Sequence, residues 1–235
     1  MNKQILVLLH GWGWHAGIWQ PLVPELSKYY QLVMPNIAWQ NSFSATADTL
    51  LPQLPQKAIY VGWSLGGMLA WWLASHYPER ISALMTLASS PKFVKTTDWP
   101  GMPLATLQKF SQALENNYEK TLEDFLELQL RGTHIASTDL KKILFQHKIP
   151  LTELHNGLTL LRENDLRNDL KKINCNSLHW FGRLDTIVPV SVTESLQPLL
   201  AHGQCEIIPR TGHIPFLSHQ DYFVEQLKSF TTNII

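Results

Sequence analysis

Short runs of apolar residues alternate with segments of helical periodicity along the early part of the chain. The apolar runs cover residues 5–9, 30–34, 58–62 and 81–87. Residues 5–9 are aliphatic throughout, which is typical of a strand covered on both faces in a parallel sheet. Helical patterns lie between the runs, near residues 19–30, 46–54 and 64–76. The alternation predicts right-handed β-α-β units and therefore an α/β fold, with a mostly parallel sheet and helices on both faces.

This alternation stops after Ser89-Ser90-Pro91 and resumes near residue 177. Between these points only helical patterns occur, at residues 104–114, 118–130, 138–145 and 151–161. Strand patterns return at 177–181 and 205–208, followed by helical patterns at 190–200 and 221–230. We therefore predict a core domain formed by residues 1–97 and 170–235, and a helical insertion at residues 98–169, here called the lid segment. Such an insertion covers the strand ends, where parallel sheets carry their sites.

A serine flanked by glycines lies at a predicted strand-to-helix junction. The sequence Gly62-Trp63-Ser64-Leu65-Gly66 directly follows the apolar residues 58–61 and predicts a nucleophile elbow, a strained turn that presents the serine hydroxyl at the sheet edge. Asp185 follows the predicted strand 177–181, and His213 follows the predicted strand 205–208. Because the carboxyl ends of parallel strands share one edge, we expect Ser64, Asp185 and His213 to converge.

These three residue types together support nucleophilic catalysis. A serine hydroxyl is a weak nucleophile at neutral pH, so His213 would accept the proton of Ser64 during attack and return it to the leaving group. Asp185 would hold the imidazole in the required tautomer. The oxyanion formed in the reaction needs hydrogen-bond donors, for which we expect the backbone N–H groups of Leu65 and Trp12.

Other residues compete for these roles or flank the same loops. Asp165 and Asp169 are alternative carboxylates, but neither follows a predicted strand. Of the ten histidines, His179 lies within an apolar strand and is interpreted as a core residue, while His10 precedes the predicted oxyanion loop and is expected to shape it. Three tryptophans flank the predicted site and are candidates to line an acyl pocket: Trp12, Trp19 and Trp63.

The composition indicates which kinds of partner the protein does not attract. The 235 residues carry 19 basic and 19 acidic side chains, so no overall charge attracts nucleic acid or an anionic membrane. The first apolar run is too short for a signal peptide or a membrane span, and we expect a cytoplasmic protein. The two cysteines and the histidines lack the spacing of metal ligands, and the chemistry proposed above requires no metal and no cofactor.

Several motifs together resemble one family of α/β-hydrolases, the pimeloyl-[acyl-carrier protein] methyl ester esterases of biotin synthesis. The motifs are His10-Gly11-Trp12-Gly13, Gly62-Trp63-Ser64-Leu65-Gly66-Gly67, Ser89-Ser90-Pro91, Asp98-Trp99-Pro100-Gly101, the stretch Phe125 to Gln129, and His213 to His219. The resemblance implies a hydrolase core with a helical lid, removal of a methyl group from a pimeloyl chain, and a partner acyl carrier protein. It also implies that Trp12, Ser64, Leu65 and Phe125 contact the substrate.

In the family resembled here, basic residues of the lid engage the acidic carrier protein. Lys120 and Lys141 correspond to part of that set, whereas Asp124 and Ser137 stand where further basic residues are expected. Residues 115–127 are acidic overall, and residues 131–148 are basic through Arg131, Lys141, Lys142 and Lys148. The basic stretch is the better candidate for a docking face, and a solvated helix surface is the alternative.

The residues, together with the resemblance, leave three functions open. The first is hydrolysis of a methyl ester on a pimeloyl-carrier conjugate by a monomeric serine esterase. The second is a general short-chain carboxylesterase or lactonase that uses the same three residues on small free esters. The third is a non-catalytic protein of the hydrolase fold that binds an apolar ligand beneath the lid segment.

Overall fold

The structure is a computed structural model that describes residues 3–232. Residues 1–2 and 233–235 of the predicted core domain lie outside the described part. A six-stranded sheet is formed by β1 (Gln4–Leu9), β2 (Tyr30–Val33), β3 (Ala58–Trp63), β4 (Ile81–Leu87), β5 (Ser177–Gly182) and β6 (Gly203–Ile208). The strand order is β2-β1-β3-β4-β5-β6, and every neighbouring pair is parallel. This confirms the predicted α/β class.

Ten α-helices connect or cover the strands within the described residues. They are α1 (Val23–Leu26), α2 (Phe43–Leu50), α3 (Leu65–His76), α4 (Leu104–Asn116), α5 (Tyr118–Gln129), α6 (Ser137–Leu144), α7 (Leu151–Glu163), α8 (Val192–Leu196), α9 (Pro215–Ser218) and α10 (Gln220–Thr232). Every residue of β3 is buried, as is most of α3, which agrees with a strand in the middle of a sheet covered on both sides. No helix within residues 3–232 is both long and apolar enough to cross a membrane.

Proline shortens three helices relative to the predictions. The helix expected near residues 19–30 is a 3₁₀ segment, Ala16–Leu22, followed by the single-turn α1, because Pro21 and Pro24 cannot donate a backbone hydrogen bond. The helix expected to run to residue 54 ends at Leu50 before the 3₁₀ turn that contains Pro52. The helix expected at 190–200 is α8, followed by a 3₁₀ turn that contains Pro198.

The lid segment contains α4, α5, α6 and α7, and residues 88–176 contribute no strand to the sheet. Its two ends are joined to each other by ion pairs. Asp165 accepts hydrogen bonds from Lys92 (2.8 Å) and Arg167 (2.7 Å), and Arg167 also binds Asp98 (2.7 Å). These contacts bring the two connections between the lid segment and the sheet together. The division of the chain into two domains at residues 98 and 169 stays a prediction.

Candidate active site

Ser64 lies between β3 and α3 in a sharply bent backbone. Its φ of 55° and ψ of −118° fall in a region that residues with a side chain rarely adopt. The flanking glycines make the bend possible. A Cβ added at Gly62 would lie 2.4 Å from the Gly66 carbonyl oxygen, and one added at Gly66 would lie 2.4 Å from the Leu9 carbonyl oxygen. The two glycines therefore allow α3 to pack directly against β3 and β1.

A continuous hydrogen-bond relay starts at the Ser64 hydroxyl. Ser64 Oγ lies 2.9 Å from His213 Nε2, and His213 Nδ1 lies 2.8 Å from Asp185 Oδ2. Because an ionised carboxylate only accepts hydrogen bonds, Nδ1 carries the proton and Nε2 is free to accept from the serine. The other Asp185 oxygen accepts from the backbone N–H groups of Ile187 (2.8 Å) and Val188 (3.1 Å). The structure thus brings the three predicted side chains into the order and contacts that proton transfer requires.

The alternative carboxylates and histidines have other partners. Asp165 belongs to the ion pairs with Arg167 and Lys92, which hold the pKa of its carboxyl well below the usual range. Asp169 pairs with Lys172 at 2.7 Å. His179 is fully buried between Thr86 Oγ1 (2.8 Å) and Ser177 Oγ (2.9 Å), and burial lowers its pKa to about 3. This confirms His179 as a core residue.

Two backbone N–H groups near Ser64 are available to an oxyanion. Within residues 3–232, the N–H groups of Trp12 and Leu65 have no hydrogen-bond acceptor. Leu65 opens α3, so its N–H also lies at the positive end of a helix dipole. The Trp12 loop is held in place by His10, which donates from Nδ1 to the Gly11 carbonyl oxygen and accepts at Nε2 from the Ile37 N–H, both at 2.9 Å. Burial lowers the pKa of His10 to about 4, so the neutral ring required for these two contacts persists at neutral pH.

An apolar cavity of about 70 Å³ adjoins Ser64, between the sheet edge and the lid segment. Apart from Ser64 and Thr106, its lining side chains are apolar: Trp12, Phe93, Met102, Leu107, Phe110, Phe125, Leu128, Leu158, Leu161 and Ile187. Phe125, a substrate-contact residue in the sequence analysis, packs edge-on to Trp12 with ring centroids 5.2 Å apart. Such a lining suits an apolar group and keeps water away from it.

Of the three tryptophans expected to line an acyl pocket, only Trp12 does so among the described residues. Trp19 is completely buried and packs against Phe216. Trp63 is also completely buried, and its Nε1–H donates to the His213 carbonyl oxygen at 2.7 Å. The expectation was therefore wrong for Trp19 and Trp63. The residue before the nucleophile instead fixes the backbone of the loop that carries His213.

The lid segment is bonded to the loop that contains Trp12. Two indoles and one imidazole of this loop donate hydrogen bonds to the lid segment: Trp12 Nε1 to the Leu154 carbonyl oxygen (2.8 Å), Trp14 Nε1 to Gln129 Oε1 (3.0 Å) and His15 Nε2 to the Ile143 carbonyl oxygen (2.7 Å). These contacts, which the sequence analysis missed, reach three of the four lid helices or their ends. The clustering of Trp12, Trp14 and His15 directly after β1 was the available signal, because aromatic N–H groups need acceptors when they are buried.

Lys120 and Lys141 lie on the lid segment but do not line the cavity at Ser64. Lys120 is exposed and pairs with Asp124 in the same helix, while Lys141 lies 3.5 Å from Glu127. Lys142 pairs with Asp139 at 2.9 Å. Ion pairs of this exposed kind are weak and can exchange partners. Any contact of Lys120 or Lys141 with a substrate would therefore involve a part of that substrate outside the cavity.

Known proteins share the fold of this chain. A family model for the alpha/beta hydrolase fold matches residues 40–220. Among solved structures, an esterase from Exiguobacterium antarcticum superimposes with a TM-score of 0.88 at 20% identity, covering 99% of this chain and 93% of that one. A bromoperoxidase from Bacillus anthracis gives the same TM-score at 21% identity, with 99% and 93% coverage. At these identities the likeness shows the fold alone.

Relatives found by sequence define the family more closely than the solved structures do. A pimeloyl-[acyl-carrier protein] methyl ester esterase from Pectobacterium carotovorum subsp. carotovorum is 39% identical over 96% of this chain and 93% of its own length. The protein of the same name from Yersinia enterocolitica is 37% identical over 96% of this chain and 92% of its own length. The chain therefore belongs to the α/β-hydrolase family and, within it, to the family of pimeloyl-[acyl-carrier protein] methyl ester esterases.

Proposed function

We propose that the chain is a serine carboxylesterase that hydrolyses the methyl ester of a pimeloyl-acyl-carrier protein conjugate in biotin biosynthesis, releasing methanol. The observation that carries the proposal is the relay from Ser64 through His213 to Asp185 at the mouth of an apolar cavity. The names of the sequence relatives supply the substrate class. We further propose that the enzyme acts as a monomer in the cytoplasm.

The reaction would proceed through an acyl-enzyme. As Ser64 Oγ attacks the ester carbonyl carbon, His213 Nε2 takes the hydroxyl proton, and the carbonyl oxygen gains negative charge. The N–H groups of Leu65 and Trp12 would stabilise that charge, and each such donor contributes about 2.7–4 kcal/mol to the transition state. His213 then gives its proton to the departing methoxide, which leaves as methanol. Water repeats the sequence, with His213 again as base, to release the carboxylate and restore Ser64.

The cavity supports an aliphatic acyl chain rather than a polar one. Phe125 and Trp12 form part of its wall, and no charged side chain is among its lining residues in the described part of the chain. The methyl ester of a dicarboxylate satisfies this requirement because esterification removes the terminal charge, whereas the free carboxylate product would be poorly solvated there. This difference would favour release of the product.

Contact with the carrier protein would fall outside the cavity, on the lid segment. Lys120 and Lys141 are the individual candidates, and the wider docking face would comprise Arg131, Lys141, Lys142 and Lys148. The structure gives partial support, since Arg131, Lys142 and Lys148 are exposed and can meet acidic side chains of a partner.

Ser64→Ala tests the chemistry. We expect kcat for ester hydrolysis to fall by on the order of 10⁴–10⁶, while Ser75→Ala, a change in the same helix away from the relay, leaves it intact. A fluorophosphonate probe should label Ser64 in the parent chain and not in the alanine variant. Retained hydrolysis by Ser64→Ala would contradict the proposal, and an unlabelled parent chain would favour the non-catalytic binding protein.

The substrate is tested separately. We expect the parent chain, but not Ser64→Ala, to restore growth without biotin in cells that lack the corresponding esterase. In vitro, the methyl ester on pimeloyl-carrier protein should be hydrolysed with a higher kcat/KM than free dimethyl pimelate. Equal efficiency on the two esters would favour the general short-chain esterase.

A further inference from the structure

The chain folds back on itself where it enters the lid segment, in a loop of residues 93–102 that we call the wall loop. The Met102 N–H donates to the Phe93 carbonyl oxygen, and the Lys95 N–H donates to the Met102 carbonyl oxygen, both at 2.9 Å. These two hydrogen bonds hold the backbones of Phe93 and Met102 together. Both side chains line the cavity at Ser64, so the wall loop forms one part of the cavity wall.

The wall loop differs from the rest of the lid segment in what keeps it in place. The other cavity residues of the lid segment lie on α4, α5 and α7, where the helical hydrogen bonds fix the backbone. Phe93 and Met102 lie outside the helices and outside the strands of the sheet. Their positions in the cavity wall therefore depend on contacts that the wall loop makes with other parts of the chain.

The guanidinium group of Arg167 joins the wall loop to the far end of the lid segment. Its Nε–H and Nη2–H donate to the two carboxylate oxygens of Asp165, at 2.8 Å and 2.7 Å, and its Nη1–H donates to Asp98 Oδ2 at 2.7 Å. Asp98 belongs to the wall loop. The planar fork of an arginine can bind one carboxylate with two hydrogen bonds and still reach a second, which a lysine ammonium group does less well.

Trp99 of the wall loop lies between Arg167 and the end of β4. The Arg167 Cζ atom lies 5.4 Å from the centre of the Trp99 ring, within the range of a cation–π contact. The indole is only 4% exposed, and its Nε1–H donates to Ser90 Oγ at 3.1 Å. Ser90 Oγ in turn donates to the Lys92 carbonyl oxygen at 2.6 Å. The wall loop is thus held from the solvent side by Arg167 and from the sheet side by Ser90.

We propose that Arg167 is a positioning residue for acyl-chain selectivity, because it holds Phe93 and Met102 where they contact the acyl chain of the ester. This inference rests on the proposed function, since it takes the cavity at Ser64 as the acyl site. Arg167 is not among the lining residues of that cavity in the described part of the chain, so it acts through the wall loop. An acetyl group has no chain to meet the wall, whereas a pimeloyl chain does.

Two esters of different chain length test this role. We expect Arg167→Ala to lower kcat/KM for dimethyl pimelate about tenfold, through a higher KM at little-changed kcat, which corresponds to about 1.4 kcal/mol. Methyl acetate should be hydrolysed as by the parent chain. Arg162→Ala is the matched control, because Arg162 also lies in the lid segment but pairs with its exposed neighbour Glu163. This variant should resemble the parent chain on both esters.

An exposed partner of Arg167 provides a second variant, in case Arg167→Ala folds poorly. Asp98 is exposed, and Asp98→Ala removes the hydrogen bond to the wall loop while the contact between Arg167 and Asp165 remains. We expect Asp98→Ala to lower kcat/KM for dimethyl pimelate about threefold, as for the loss of one partly exposed ion pair, and to leave methyl acetate hydrolysis unchanged.

A double-mutant cycle shows whether Arg167 acts through the cavity wall. Met102→Ala removes a wall side chain directly and should lower kcat/KM for dimethyl pimelate by about tenfold. In a chain that already carries Met102→Ala, Arg167→Ala should add only about a threefold loss, because only Phe93 remains to be displaced. Independent effects would instead multiply to about a hundredfold loss.

Three kinetic results would overturn the proposal. If Arg167→Ala slows methyl acetate as much as dimethyl pimelate, Arg167 supports the whole site and has no role in selectivity. If Arg167→Ala hydrolyses both esters as the parent chain does, the wall loop does not need Arg167. If the losses of Arg167→Ala and Met102→Ala multiply, Arg167 does not act through Met102.

Hydrogen exchange separates this inference from the proposed function, because it needs no substrate. The N–H groups of Lys95 and Met102 close the wall loop, and they should exchange faster in Arg167→Ala than in the parent chain or in Arg162→Ala. Faster exchange in a chain that hydrolyses no ester would refute the proposed function and leave the positioning of the wall loop intact. Unchanged exchange in an active esterase would refute the role of Arg167 alone.

Discussion

The strained backbone at Ser64 predicts that removing the nucleophile's side chain stabilises the fold locally. Ser64 has φ 55° and ψ −118°, a conformation that costs about 1–3 kcal/mol for a residue with a Cβ and much less for glycine. Ser64→Ala keeps the Cβ and therefore the strain, while Ser64→Gly removes both. Both variants lack the hydroxyl, so the hydrogen bond to His213 cancels when they are compared.

A second comparison, between the parent chain and Ala74→Gly, separates the backbone strain from the other effects of glycine. Replacing alanine by glycine normally destabilises a helix by about 0.5–1 kcal/mol through backbone entropy, and it also removes one buried methyl group. Ala74→Gly in the regular part of α3 measures both costs at a buried site with ordinary helical geometry. Subtracting the Ala74→Gly effect from the Ser64 alanine-to-glycine difference should leave about 1–3 kcal/mol of stabilisation.

Urea denaturation followed by circular dichroism measures these free energies, and equal m-values would show that the unfolded states are comparable. For a chain of this length each kcal/mol also shifts the melting temperature by about 2–4 °C. If the glycine substitution costs as much at Ser64 as it does at Ala74, the elbow stores no strain and the reasoning is refuted.

Three further predictions concern the lid segment, its charges and the core. Trp12→Phe removes the indole N–H from its buried acceptor in α7, and should lower the free energy of unfolding by about 1–3 kcal/mol and speed hydrogen exchange in α7. Unchanged exchange would contradict the idea that this hydrogen bond holds the lid segment in place. Lys141→Glu combined with Lys142→Glu should lower kcat/KM for a carrier-bound ester by about tenfold, near the lower end of electrostatic steering effects, and leave hydrolysis of dimethyl pimelate unchanged. The control variant Lys57→Glu should leave hydrolysis of both substrates unchanged. Burial lowers the pKa of His179 to about 3 from about 6.5 in the unfolded chain, so between these values the unfolded chain binds the extra proton and stability falls as the pH falls. At pH 5 the free energy of unfolding is lower than at neutral pH by about 2 kcal/mol because of this residue. The variant His179→Gln should therefore show a shallower decline in the free energy of unfolding between pH 7 and pH 5. Identical declines in the two chains would contradict the assignment of His179 as a buried neutral residue.

The sequence pattern predicts a parallel sheet but not the face of the sheet on which each side chain lies. Continuous apolar runs such as β1 indicate parallel strands because both faces of those strands are covered. The same property hides the direction of each side chain. All six residues of β3 are buried, so no alternation of polar and apolar positions shows which face Trp63 occupies. The expectation that Trp63 lines an acyl pocket failed for this reason.

The predicted relay depended on topology, whereas the cavity depends on packing between the lid segment and the sheet. Ser64, Asp185 and His213 follow three strands of one parallel sheet, and that alone directs them to one edge. Phe110, Leu128 and Leu161 reach the cavity from three different lid helices, whose orientation the sequence pattern does not define. Their spacing on amphipathic helices indicates that they are buried, but not what they cover.

Trp12 connects the chemistry of the site to the position of the lid segment. Its backbone N–H is one of the two proposed oxyanion donors, its indole donates to the Leu154 carbonyl oxygen, and its ring packs against Phe110 and Phe125. Lifting the lid segment would break this hydrogen bond together with those made by Trp14 and His15, at about 0.5–1.5 kcal/mol each, and would expose the aromatic cluster to water. It would also free the loop that holds one of the two proposed oxyanion donors. The proposed oxyanion site therefore requires the lid segment to be closed.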